Sequence, residues 1–230
     1  MLGARIGAPL DADSAVEQLY AGHYRQLVRL AVLLVRDRET AEEVVQDAFV
    51  AMHGRWSRLR DPDKAVAYVR QAVANRSRSA HRHRGVVERH RPTAAADQPG
   101  ADEAVIAADR RRQVLDALAR LSDRQREVLT LRYFLDLSEH EIASTLGISP
   151  GSVKSHASRG AAAPAPAARP GPGGGTMSDL RTRLHAAVDD VEPELGLPEI
   201  QARTGTRGRL RWASGRSRPV PEDTKEIAVR

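Results

Sequence analysis

Three helix starts fall in under thirty residues between Ser122 and Ser149, and the turn between the last two helices admits few geometries. Ser122-Asp-Arg-Gln125 and Ser138-Glu-His-Glu141 are capping boxes, and Ser149-Pro150 pairs an N-cap with proline at the first helical position. Ala143, Gly147 and Val153 then have the spacing of a tight helical turn. A small residue on one helix lets the next approach. A glycine takes the left-handed backbone, and a valine anchors the second helix. The stretch Ser122–Arg159 therefore reads as a compact trihelical unit ending in a helix-turn-helix. Beyond it the chain runs into GAAAPAPAARPGPGGG, where Pro164 and Pro166 stop any helix.

The rest of the chain narrows the class. Aromatic residues make up 3% of 230 residues, and Gly and Pro number 17 and 13, so one or two small domains are expected rather than a single large core. A net charge of +6 points to a polyanionic partner, most simply nucleic acid. With no cysteine, neither a disulfide framework nor a thiolate metal site can form. The longest strictly apolar run, Leu30–Val35, is far too short to span a bilayer, and the N-terminus lacks the apolar core of a signal peptide. The expectation is a cytoplasmic protein.

Four segments follow from pattern, and the predicted fold is all-α. Two small helical domains are joined by a flexible linker, the second a helix-turn-helix, with a disordered C-terminal tail. Residues 14–84 are helical throughout. Leu19, His23, Leu27, Leu30 and Leu34 recur at helical spacing, and Thr40-Ala-Glu-Glu43 reads as a capping box. Val44, Val45, Ala48, Phe49, Met52 and Trp56 form the next stripe, and Asp61-Pro62 opens a third helix that turns sharply basic. Residues 85–102, with Pro92, Pro99 and Gly100, form the linker, and 103–160 are helical again. In the tail, 161–230, a short amphipathic stretch Asp179–Val191 precedes Arg203–Arg218, which holds six arginines and no acid.

Two constellations suit nucleic acid. If Ser149 caps the last helix, Ser152, Lys154, Ser155, His156 and Arg159 face out while Val153 and Ala157 face in. Such side chains read base edges and phosphates in a major groove, and the helix N-terminus adds free N–H groups. The basic run Asn75–Arg91 supplies Asn75, Arg76, Arg78, Arg82 and Arg84 as a belt for a phosphate backbone. A solvated helix end is the plainer reading of that run, and it is preferred for Arg89 and Arg91. Catalysis has no foothold. His81 and His83 point to different sides of a helix among arginines, and Ser144 stands where a second zinc histidine would follow His140-Glu141. No cofactor and no small-molecule substrate are expected.

The order of these parts resembles the sigma-70 family of bacterial RNA polymerase sigma factors, in its extracytoplasmic-function (ECF) group of actinobacterial type. AEEVVQDAFVAMHGRW (41–56), AYVRQAVANRSRSAHRHR (67–84) and the helix-turn-helix stretch 121–159 carry the resemblance. It implies a factor that directs core RNA polymerase to specific promoters. Glu43, Gln46 and Asp47 would dock on the β′ coiled coil, with Phe49 as support. Asn75, Arg76, Arg78, Arg82 and Arg84 would contact the −10 element, and Ser152, Lys154, Ser155, His156 and Arg159 the −35 element. It also implies promoter DNA and a membrane-anchored anti-sigma factor as partners. One departure is the last helix, predicted to stop near Arg159 where the family's runs on with Leu and Arg. Taken alone, the second unit is equally similar to the output domain of LuxR-type regulators, which never act as polymerase subunits. The absence of any strand pattern in residues 1–84 separates the two, since such a regulator would carry a βαβ receiver. For the tail two accounts stand side by side: a genuine extension, or a frameshifted fusion in which Met177-Ser-Asp-Leu is a second protein's start.

Overall fold

The computed structural model describes residues 12–59, 61, 64–87, 102–162 and 177–193, with 196, 198, 200 and 202; for 81–87, 102–107 and 177–178 it describes the backbone alone. The described residues form α1 (Ala12–Val35), α2 (Arg38–His53), a 3-10 turn (Trp56–Arg58), α3 (Ala65–Val87), α4 (Asp102–Arg120), α5 (Asp123–Tyr133), α6 (Glu139–Leu146), α7 (Pro150–Ala161) and α8 (Met177–Ala186). Among them there is no strand, so the fold is all-helical as the periodicity requires. Pro62, the stretch 88–101 with Pro92 and Pro99, the Gly/Ala/Pro run from 163 to 176 and the arginine-rich 203–218 lie outside the described residues.

α1, α2 and α3 pack on one another as the first unit. The end of α1 is apolar all round, and every residue of Leu30–Val35 is buried. A helix with no polar face needs neighbours on all sides. Here α2 and α3 pack on α1, and α4 and α5 from the second half of the chain touch it too, with Leu34 beside Asp123 and Arg126 of α5. Three of the eight aromatics meet at one spot. Tyr20 stacks on Tyr24 with ring centroids 4.4 Å apart, and both rings meet Phe49 of α2, at 6.2 and 5.9 Å. α1 ends at Arg36, whose φ of 63° is left-handed. The cap of α2 differs from the Thr40 box expected from sequence. Asp37 is the N-cap, and its carboxylate accepts from the Thr40 backbone N–H at 2.9 Å and the Thr40 hydroxyl at 2.5 Å. An aspartate closes N3 and meets the positive helix end with a full charge, so the helix starts three residues earlier.

The second unit, α5–α7, follows its sequence signals closely. Both capping boxes close, Ser122 with Gln125 and Ser138 with Glu141. Gly147 takes φ 63° and ψ 42°, and its N–H donates to the Ala143 carbonyl. Val153, Ala157 and Gly160 form the buried face of α7. α7 has 12 residues and spans about 18 Å at 1.5 Å per residue. Gly160, which sequence reading places at the edge of the low-complexity run, is a packing residue. A Cβ there would stand 2.9 Å from Leu129 Cδ1 and 3.3 Å from Gln125 Cβ, so any larger residue presses on the Leu129 and Gln125 side chains where α7 meets α5.

Part of the tail is folded. α8 packs on α4 and α5, and Leu184, Ala187, Val188, Val191 and Ile200 are buried. The amphipathic stretch read at 179–191 thus has its apolar side against the body of the protein.

Two outcomes test this packing. Gly160→Ala destabilises the chain by about 1–3 kcal/mol through overpacking, read as a lower urea midpoint with an unchanged slope. Ser138→Ala costs about 1 kcal/mol. Its hydroxyl donates to the Glu141 carboxylate at 2.6 Å and the Ser138 backbone N–H does so at 2.8 Å, which holds the Glu141 pKa below the usual carboxylate range. A depressed folded pKa stabilises above the unfolded value and ceases to as pH falls through the folded one. The gap between parent and variant melting temperatures therefore narrows on acidification from pH 6.

Candidate nucleic-acid interface

The exposed face of α7 is built by three local choices. Ser149 accepts from the Ser152 backbone N–H at 3.1 Å, Pro150 fixes the first turn, and Val153 is fully buried. With that face turned in, Lys154, Ser155 and Arg159 are exposed, and Ser152 and His156 are half-buried at its edges. All five side chains proposed from sequence for the −35 element therefore lie along the outer side of one helix. The Ser152 hydroxyl is shared with Ser149 at 2.9 Å, so it doubles as part of the cap.

The basic face of α3 is less uniform than its sequence. Asn75 is exposed and Arg76 half-buried, whereas the side chains of Arg82 and Arg84 fall outside the described residues. Arg78 is engaged elsewhere. Its guanidinium donates to both carboxylate oxygens of Glu127 on α5, at 2.6 and 2.8 Å, with Arg78 18% and Glu127 4% exposed. Arg124 adds a third bond to Glu127 at 3.2 Å and reaches the Leu146 carbonyl at 3.3 Å. Arg70, also on α3, is half-buried, and its burial lowers the guanidinium pKa against the opposing charge of Glu141. Arg126 is buried beside the same seam, bonded to the Leu118 carbonyl at 3.3 Å and paired with Asp123 at 2.5 Å. Its pKa is lowered too, mainly by burial. This seam of Arg78, Arg70, Arg124, Glu127 and Glu141 is what sequence reading missed. The only signal available was a charged Arg126-Glu127 pair in the apolar register of α5.

On α2 the polar face is narrower than its pattern predicts. Glu43 is exposed and Asp47 half-buried, but Gln46 is 5% and Glu42 3% exposed. Residues at 42 and 46 are one turn apart, on the side that the rest of the fold covers. Glu42 is ion-paired with Arg38 at 3.1 Å. Phe49 is fully buried, in the supporting position expected of it.

Residues 19–86 match the family Sigma-70 region 2, and residues 111–163 match Sigma-70, region 4. The chain is 34% identical over 129 residues to the RNA polymerase sigma-E factor of Streptomyces coelicolor, covering 56% of this chain and 72% of that protein. This chain belongs to the sigma-70 family, in its ECF group. It is also 34% identical over 158 residues to the ECF RNA polymerase sigma factor SigL of Mycobacterium tuberculosis, covering 66% of this chain and 88% of the relative. The fold agrees with the solved structure of the sigma factor RpoE in complex with the anti-sigma factor NepR from Bartonella quintana. That match has a TM-score of 0.50 and 20% identity, and covers 76% of this chain and 98% of that one.

As a sigma factor the protein directs RNA polymerase to specific promoters and starts transcription there. The region 2 match upstream of the helix-turn-helix favours this reading over a LuxR-type regulator. Sigma factors are initiation factors rather than catalysts. No helix among the described residues is long and apolar enough to cross a membrane.

The face of α7 makes a quantitative prediction. If Lys154 and Arg159 each neutralise one phosphate, Lys154→Ala and Arg159→Ala each weaken binding to promoter DNA and reduce the slope of log affinity against log salt by about 1. Gel shifts across a potassium chloride series measure both.

Proposed function

We propose a division of labour within this sigma factor. Residues 14–84 bind polymerase and the −10 element, residues 103–160 read the −35 element, and 85–102 link the two. The observation that carries this is the outward face of α7: Lys154, Ser155 and Arg159 are exposed, flanked by Ser152 and His156, on a second helix set by Gly147. Polar and cationic side chains on that helix of a helix-turn-helix reach base edges and phosphates. The −10 contacts are Asn75, Arg76, Arg82 and Arg84, with Arg78 joining them once released from Glu127. On α2, Glu43 and Asp47 meet the β′ coiled coil directly, and Gln46 contributes when its covering moves. The protein works in the cytoplasm without chemistry of its own. Its partners are core RNA polymerase, promoter DNA and a membrane-anchored anti-sigma factor.

A pull-down of core polymerase followed by open-complex footprints tests this. Glu43→Ala with Asp47→Ala lowers polymerase capture at least several-fold and leaves gel-shift affinity for DNA unchanged. Ser155→Ala with Arg159→Ala keeps polymerase capture and loses upstream protection. Polymerase capture that Glu43→Ala with Asp47→Ala leaves unchanged, or upstream protection that Ser155→Ala with Arg159→Ala retains, would overturn the reading.

A further inference from the structure

The tail residues 179–193, with Ile200, are seated where they touch both halves of the molecule. On the first unit, the Arg25 guanidinium donates to the Glu192 carboxylate, Arg29 to the backbone carbonyls of Asp189 and Val191, and Arg38 to the Glu192 carbonyl. On the second half, Arg111 of α4 holds Asp190 at 2.9 Å, and Arg181 makes a two-pronged bridge to Asp136 after α5. The His185 ring lies 4.7 Å from that of Phe134. Between these polar ties Leu184, Val188, Val191 and Ile200 are fully buried. The acids Asp189, Asp190 and Glu192 face four arginines of the body, so the seat has both apolar fit and charge complementarity.

We infer that residues 177–200 are an inhibitory segment of this chain, docked across α1, α4 and α5, that holds the sigma factor closed. The inference rests on the division of labour proposed above. In the closed form α3 lies directly against α6. The elements these units serve are, by their designations, about 25 base pairs apart, roughly 85 Å at 3.4 Å per step. Both cannot be engaged while the units touch.

Three further features agree with a form built to open. Arg78, which faces DNA in the open form, is closed on Glu127. The Ser77 hydroxyl is buried in the same seam, beside Leu34, Asp123 and Arg126, without a protein partner. Buried polar groups left so favour a state in which water or another ligand reaches them. Finally, Arg38 links the segment to Glu42, on the covered side of α2. Attachment in the same chain keeps the segment at an effective concentration of about millimolar at its seat, so a peptide in trans is supplied at that concentration to match it.

The test compares the full chain with full-length Leu184→Asp/Val188→Asp, whose changes lie in the segment and leave both units' own residues intact. Core polymerase binding is measured by anisotropy, transcription by abortive initiation, and folding by circular dichroism. The double variant binds core polymerase at least tenfold tighter and initiates faster. Two added negative charges would by themselves weaken DNA binding, so a gain in initiation is not a charge artefact. A synthetic peptide of residues 177–202 added in trans returns the variant to parental activity, and the same peptide carrying both aspartates does not. Should the aspartates unfold the chain, Asp190→Asn/Glu192→Gln, which removes two surface carboxylates, gives the same gain at about threefold. Equal polymerase binding by parent and folded variant, or no effect of the peptide, overturns the inference while the sigma reading stands. If neither parent nor variant binds core polymerase, the division of labour fails and the inference with it.

Discussion

The end of α1 is the constraint on which the rest depends. Leu30–Val35 is apolar on every side, and a helix of that kind cannot rest on two neighbours alone. α2 and α3 pack on this helix, and α4 and α5 add contacts from the second half of the chain, α5 at Leu34. The first unit therefore carries a sticky face even when its own three helices are packed. At about 25 cal/mol per Å² of apolar surface removed from water, covering that face stabilises the packing of the two halves.

The ionic seam beside this face is of a different kind. Arg78 and Glu127 are both largely withdrawn from water, and such a pair returns little net stability because desolvation offsets the attraction. Removing one partner is costly, since the other is left charged and buried. Such a pair specifies how the units meet rather than how tightly. It also ties α3 of the first unit to α5 of the second across 49 residues of sequence. Apolar cover supplies the hold, and the ionic seam the register.

The candidate site was legible in the sequence to the extent that its geometry is local. Ser149, Pro150, Gly147 and Val153 act within one or two turns, so they set which side of α7 faces out, and Lys154, Ser155 and Arg159 are exposed accordingly. The α2 face was legible only in part. Periodicity placed Phe49 inside and Glu43 outside, but Gln46 and Glu42 are covered by packing that no window of α2 describes. Arg78 was read as a free cation because its partner, Glu127, is 49 residues away. Asp37 displaced Thr40 as a cap because two competent caps stood three residues apart, and the charged one closed the turn.

The sequence by itself determined the all-helical class, the two capping boxes, the left-handed turn at Gly147 and the outward face of α7. Each of these rests on backbone conformations and hydrogen bonds between residues fewer than about five apart, whose cost and gain are local. Only the tertiary structure decided that Gly160 is the contact point of α7 on α5, that Arg78 is closed on Glu127, and that the apolar side of the tail is seated across both halves. Those outcomes depend on which distant surfaces meet. That choice is made by burying the apolar end of α1, a non-directional force that no local pattern encodes.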